Sequence, residues 1–218
     1  MHLPDGLVSN QIALASYAVS AGAVTLALQR AKRSLDERQV PLLGVTAAFI
    51  FAAQMLKFPV AGGTSGHFLG AVLAAVLLGP LNAILVMTLV LFIQCLVFAD
   101  GGLTALGANV FNMGVIGGGA GYLLFRLCQG LFPKTRRGFL AAAAIASWFS
   151  VVLAAGACAL ELAVSGVSPL GMVVPALVLV HALIGIGEAM ITFAMLSMVL
   201  AVRRDLIPPA TRPREVSA

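Results

Sequence analysis

Residues 68–98 read Phe-Leu-Gly-Ala-Val-Leu-Ala-Ala-Val-Leu-Leu-Gly-Pro-Leu-Asn-Ala-Ile-Leu-Val-Met-Thr-Leu-Val-Leu-Phe-Ile-Gln-Cys-Leu-Val-Phe, 31 residues without a charge. A membrane-crossing helix needs about 20 residues. The stretch is too long for one ordinary span and short for two. Gly79-Pro80 divides it, and Pro is poorly tolerated inside a helix. Whether it counts once or twice sets the topology of the whole chain. Charge decides the count. Arg30, Lys32, Arg33 and Arg38 follow the first apolar run, and Lys134, Arg136 and Arg137 follow the fifth. Basic residues gather on the cytoplasmic side of a membrane. An even number of spans must then separate the two clusters. Two short helices in 68–98 give four spans; one helix gives three. Two are expected.

Composition supports a membrane setting. The 218 residues are 61% hydrophobic and 10% charged, with a mean hydropathy of +1.05. A soluble domain averages about 25% charged residues. Only helices or closed barrels satisfy their backbone groups in hydrocarbon. The apolar runs lack the alternation of barrel strands, so helices are expected. They fall at about 10–29, 41–56, two within 68–98, 113–128, 139–160 and 173–202. Ser9 or Asn10 is the expected first N-cap. Residues 100–112 read as an outer loop or re-entrant segment. The last helix is expected at Val173 or just after Pro175, and Arg203-Arg204 stop it on the inside. Gly114, Gly118 and Gly117, Gly121 form small-xxx-small pairs that suit close helix packing.

The expectation is an all-α membrane protein, a bundle of seven transmembrane helices with its amino terminus outside and its carboxyl terminus cytoplasmic. Residues 1–204 form one domain with an N-terminal segment 1–9, and 205–218 form a polar tail expected to be disordered. The thirteen Lys and Arg residues cluster between apolar runs and signal topology, not nucleic acid. Cys95, Cys128 and Cys158 have no paired spacing and read as packing residues. Residues 1–9 hold an acid and no Lys or Arg, unlike a signal-peptide n-region. The start of the chain is therefore expected to survive in the mature protein.

Polar residues then stand out. The chain opens Met1-His2-Leu3-Pro4-Asp5-Gly6. The α-amine of Met1 and the backbone nitrogen and imidazole of His2 can close two fused chelate rings on one ion. Ni²⁺ or Cu²⁺ suits such a planar nitrogen set. Equally, chain ends are commonly frayed, and both readings stand on these residues alone. His67 ends the Gly-rich stretch 61–67 on the same expected outer face and can add a fourth nitrogen, or simply bond to loop backbone. Thr64, Ser65, Asp100, Asn109 and Asn112 are outer-loop residues that can orient metal ligands or satisfy tight turns.

His181 and Glu188 are seven residues apart in the last run and share a helix face. Ionisable groups inside a span are functional suspects, but a polar pair that fixes packing or holds a loop explains them more simply. No Gly-Lys-Ser/Thr phosphate loop occurs, so any ATP hydrolysis belongs to another subunit.

Four motifs together resemble one family: residues 1–6, Ala61-Gly62-Gly63-Thr64-Ser65-Gly66-His67, Asp100-Gly101-Gly102-Leu103-Thr104-Ala105-Leu106-Gly107-Ala108-Asn109, and His181-Ala182-Leu183-Ile184-Gly185-Ile186-Gly187-Glu188-Ala189. The chain resembles the CbiM/NikM family, the substrate-capture components of energy-coupling-factor transporters for Co²⁺ and Ni²⁺. The resemblance implies a compact seven-helix bundle with the amino terminus tucked in from outside. It implies metal ligation by the Met1 amine, both His2 nitrogens and His67. It implies a membrane coupling subunit, a pair of ATPase subunits, a small accessory membrane subunit, no cofactor of the chain's own, and a place in the bacterial cytoplasmic (inner) membrane. Cobalt and nickel members share these motifs, so the metal stays open. A competing reading is an intramembrane metalloenzyme or hydrolase using His67, His181 and Glu188, with Ser65 as a weak nucleophile candidate. The missing HExxH pattern counts against it. A third is a carrier that works alone.

Overall fold

The structure, a computed structural model, describes residues 1–35, 39–60 and 64–213; the side chains of residues 34, 58–60, 64 and 65 are outside that description. Arg38 and residues 61–63, used above for topology and motif, therefore lie outside the described residues. Helices α1 (Asn10–Ser34) and α2 (Gln39–Gln54) lead into an antiparallel hairpin, β1 (Lys57–Val60) and β2 (Thr64–His67), that sets Lys57 opposite His67. Then follow α3 (Ala71–Leu78), α4 (Pro80–Phe98), α5 (Leu106–Leu131), α6 (Arg136–Val164) and α7 (Leu170–Val202). Five of these helices, α1 and α4 to α7, are long and apolar enough to cross a membrane. Exposed leucines such as Leu14, Leu123 and Leu183 are what a lipid-facing surface requires.

The deciding stretch does break at Gly79-Pro80, but unequally. Gly79 has φ +84° and ψ 160°, a conformation essentially reserved for glycine, and Pro80 takes the first helical position, where its missing N–H costs nothing. Asn82 caps the preceding carbonyl through Nδ2 to Leu78 O at 2.9 Å. With eight residues, α3 is about 12 Å long and does not span hydrocarbon on its own. The expectation of two spans is corrected to one buried half-helix and one full helix. The two ends of the excursion meet: Lys57 Nζ and Asp100 Oδ2 pair at 3.1 Å.

All of Ala71–Leu77 is buried, so α3 is the hub of the core. Gly117 and Gly121 of α5 allow its close approach: a Cβ on Gly117 would stand 2.7 Å from Leu69, and one on Gly121 2.7 Å from Val72. Phe111–Ala120 within α5 is wound as a π-helix.

Other boundaries differ from expectation. Helix α1 runs on to Ser34 because amphipathic Lys and Arg extend it beyond the apolar run, and Ser9 is its N-cap, accepting from Ile12 N. Helix α5 starts at Leu106, so only 100–105 is loop. Helix α7 starts at Leu170 and contains Pro175 in its second turn. The segment 205–213, expected as disordered tail, folds back: Ile207 is fully buried and Gln129 Nε2 donates to Thr211 O at 2.6 Å. Residues 214–218 lie outside the described residues.

Candidate metal centre

The amino terminus is buried. Met1 and Leu3 are fully inaccessible and His2 is 4% exposed. The alternative of a frayed end does not hold. Met1 joins the core cluster with Ile50, Leu69, Met87 and Leu91, and Leu3 packs with Ala105, Cys158, Leu162 and Leu177. Burying such side chains is worth about 1.5–3 kcal/mol each.

The receptor for this segment is residues 100–109. Leu3 N donates to Asn109 Oδ1 at 2.8 Å, and Asn109 Nδ2 donates to Leu3 O at 3.1 Å. Gly102 N also donates to Leu3 O, at 2.8 Å. A Cβ at Gly102 would collide with the Asp5 backbone. Asp5 Oδ1 accepts from Thr104 N at 2.6 Å and Oγ1 at 2.5 Å. Each bond ties the terminus to a chosen register.

That register brings His2 onto His67. Their ring centroids are 4.4 Å apart and the planes are 77° from parallel. His67 Nδ1 donates to Phe68 O at 2.7 Å, which leaves Nε2 with its lone pair. His2 Nδ1 donates to the Asp100 carbonyl at 3.2 Å and stands 3.6 Å from Asp100 Oδ1. Among the described residues both Nε2 atoms are buried without a hydrogen-bond partner. A buried nitrogen left so costs about 1–3 kcal/mol, which a bound cation would relieve at His67. Burial lowers the Met1 amine to about 6. Burial first, then the neighbouring amine, lowers His2 to about 4. Burial also holds His67 well below its ordinary range. At neutral pH the pocket therefore presents neutral nitrogen donors. Among the described residues no three His, Cys, Asp or Glu side chains converge to hold a metal; the Met1 amine and the His2 main-chain nitrogen are the further nitrogen atoms beside the two imidazoles. A ring closed from the His2 backbone nitrogen uses Nδ1, the atom now given to Asp100.

The other candidates separate. Asp100 and Asn109 orient His2 and Leu3 as described. Asn112 does not: its Nδ2 donates to Glu161 Oε2 at 2.6 Å. Thr64 and Ser65 lie in β2, with side chains outside the description. His181 is fully buried, donates Nδ1 to Leu177 O at 2.8 Å, and lies within charge range of His67. Its Nε2 is also unpartnered. Glu188 is a tether: its two oxygens accept from Leu69 N at 2.8 Å and Gly70 N at 2.7 Å, holding the start of α3. That is the loop-holding role its sequence position suggested, and it leaves the carboxylate committed to backbone.

Sequence reading missed Glu161 and the Lys57–Asp100 pair. Glu161 is a carboxylate one residue past the expected end of a span, a signal that was available. Lys57 stood out only as the basic residue assigned to the outer face.

Comparison with known proteins adds to this geometry. A family model described as "Cobalt uptake substrate-specific transmembrane region" (CbiM) matches residues 2–206. A protein of Archaeoglobus fulgidus, provisionally named a fused nickel transport protein NikMN, is 41% identical over 219 residues, covering all of this chain and 71% of that protein. A fused nickel transport protein NikMN of Rhodobacter capsulatus is 32% identical, over 98% of this chain and 65% of its own length. A crystal structure described as a truncated transition metal transporter superposes with a TM-score of 0.86 at 35% identity, covering 92% of this chain and 99% of that one.

Proposed function

The chain belongs to the CbiM family of cobalt-uptake substrate-specific transmembrane proteins, and on that premise we propose that it captures Co²⁺ or Ni²⁺ at the outer membrane face for delivery to the cytoplasm. Its relatives are metal transport proteins, so it is a multi-pass membrane transporter and not an enzyme. The observation that carries the reading is the insertion of Met1-His2 against His67, which brings the buried amine and the His2 imidazole to the bare Nε2 of His67. The donors are the Met1 amine, the His2 main-chain nitrogen and imidazole, and His67 Nε2. Four nitrogens in one plane suit Ni²⁺; the names do not choose, since the family model's description gives cobalt and the two relatives' names give nickel.

Capture exchanges the bond from His2 Nδ1 to Asp100 for a metal bond. The ion also displaces protons from the ligands. Asp100, neutralised in part by Lys57, and Asn109 hold the ligands from behind. In this reading the seven-helix bundle sits in the cytoplasmic membrane with its amino terminus outside and its carboxyl terminus inside. It works as the capture component of an energy-coupling-factor transporter, with a membrane coupling subunit, an ATPase pair and a small accessory membrane subunit. Delivered cobalt would serve cobalamin synthesis.

Equilibrium binding of Ni²⁺ and Co²⁺ to the purified chain tests the proposal. Tight one-to-one binding of either ion, with proton release, is expected. Failure to bind either ion at pH 8 contradicts it.

A further inference from the structure

The end of the molecule opposite the metal centre carries a cavity of about 410 Å³ between the α5–α6 turn and the segment 209–213. Arg126, Lys134 and Arg212 line it, and no acidic side chain among the described residues does. Three cations around one cavity, with Arg126 and Lys134 exposed, give it a positive potential that favours an anion.

The walls are built. Gln129, three residues beyond Arg126 on α5, fixes the segment through Nε2 to Thr211 O at 2.6 Å. Arg212 is held by Nε and Nη2 on Ile207 O at 3.1 and 2.8 Å, which leaves Nη1 without a partner among the described residues. Among the described residues neither Arg126 nor Lys134 makes a hydrogen bond or ion pair there. Thr135 also lines the cavity and caps α6 through Oγ1 on Gly138 N at 3.2 Å. That brings the positive end of a 29-residue helix to the same place.

The neighbourhood narrows the anion. Leu123, Leu127 and Leu131 of α5 are 64%, 67% and 84% exposed and form a four-residue ladder along one face. Arg126 sits beside it. A ligand that fills the cavity and follows this ridge is charged at one end and apolar along its length. We propose that the cleft binds the phosphate headgroup of an anionic phospholipid, with an acyl chain along the leucine ladder. Arg suits a phosphate diester through its planar fork, and Lys as a point charge.

Native mass spectrometry of the full purified chain with phosphatidylglycerol or phosphatidylcholine tests this. The chain should retain phosphatidylglycerol in preference. The double variant R126Q/K134Q should lose that preference by roughly tenfold to thirtyfold, and R126K/K134R should keep it. Thermal unfolding of each variant checks that it is folded. Equal retention of the two lipids by the unaltered chain overturns the proposal, and so does a preference that survives R126Q/K134Q. Inorganic phosphate is the second arm. If it displaces phosphatidylglycerol at equal concentration, the site is one for a free anion and the lipid assignment fails.

Discussion

The imidazoles of His2 and His67, 65 positions apart in the chain, meet edge to face with centroids 4.4 Å apart. Each is oriented through Nδ1 by a main-chain carbonyl, that of Asp100 or Phe68, and each keeps a buried, unpartnered Nε2. In the proposed ligand set, replacing either imidazole removes a donor from the ion itself. Removing a group that only orients a ligand typically costs 10- to 100-fold in affinity. His2→Ala and His67→Ala should therefore each weaken Ni²⁺ and Co²⁺ binding by more than about a hundredfold, measured by titration calorimetry on the folded protein.

Asn109 acts one step further out. Its amide pairs with both main-chain groups of Leu3. Asn109→Leu strands the buried Leu3 N–H, while the Leu3 carbonyl keeps its bond from Gly102 N, so the cost is about 1–3 kcal/mol. Metal affinity should fall about 10- to 100-fold, together with the unfolding temperature. Unchanged binding would separate Leu3 positioning from the metal centre.

Glu188 offers the opposite pattern. Both its oxygens take N–H groups at the start of α3. Gln has one acceptor oxygen, so Glu188→Gln should destabilise by about 1–3 kcal/mol and leave metal stoichiometry unchanged. Thermal unfolding and metal content measure the two effects. Selective loss of a turnover activity, with stability intact, would instead favour the hydrolase reading.

Acid should work against both folding and binding. The Met1 amine falls from 8.0 to about 6 on folding, through burial, and His2 falls from 6.5 to about 4. Because these bases bind protons more weakly when folded, the unfolded chain takes up more protons between pH 8 and about 4. Stability then falls as pH drops through that window. It is full above pH 8, loses the amine contribution towards pH 6, and loses the His2 contribution from 6.5 towards 4. Apparent metal affinity falls in the same direction, since protons compete for the donors. Unfolding temperatures and binding isotherms at pH 8, 6 and 4.5 should decline in that order.

Much of this was legible in the chain. Apolar runs and basic clusters gave the helices, Gly79-Pro80 marked the break, and the opening Met1-His2 marked the candidate donors. What was hidden depended on distant contacts. The eight-residue length of α3 follows from Gly70, which starts it at φ +74° with its N–H on Glu188, 118 residues away. The start of α5 at Leu106 is masked by Gly107 and Asn109, weak helix formers whose places are justified by Tyr17 and Leu3: a Cβ on Gly107 would stand 2.7 Å from the Tyr17 backbone. Asn112 looked like a ligand-orienting residue by proximity in sequence, but its partner Glu161 lies on α6. The fold-back of residues 205–213 rests on the buried side chains of Ile207 and Pro213 and on backbone carbonyls taken up by Gln129 and Arg212, none of which produces a periodic pattern.

The central claim is that the chain's own amino terminus is a ligand. Met1 is fully buried, its amine lies in the same pocket as His2 and His67, and a peptide bond there would replace a donor with an amide and add bulk to a closed core. The direct measurement is Ni²⁺ and Co²⁺ binding to a chain carrying one glycine before Met1, with its amino-terminal residue verified by mass spectrometry. Abolished binding in a chain that still inserts and folds is the predicted result. Tight binding by the extended chain would contradict it.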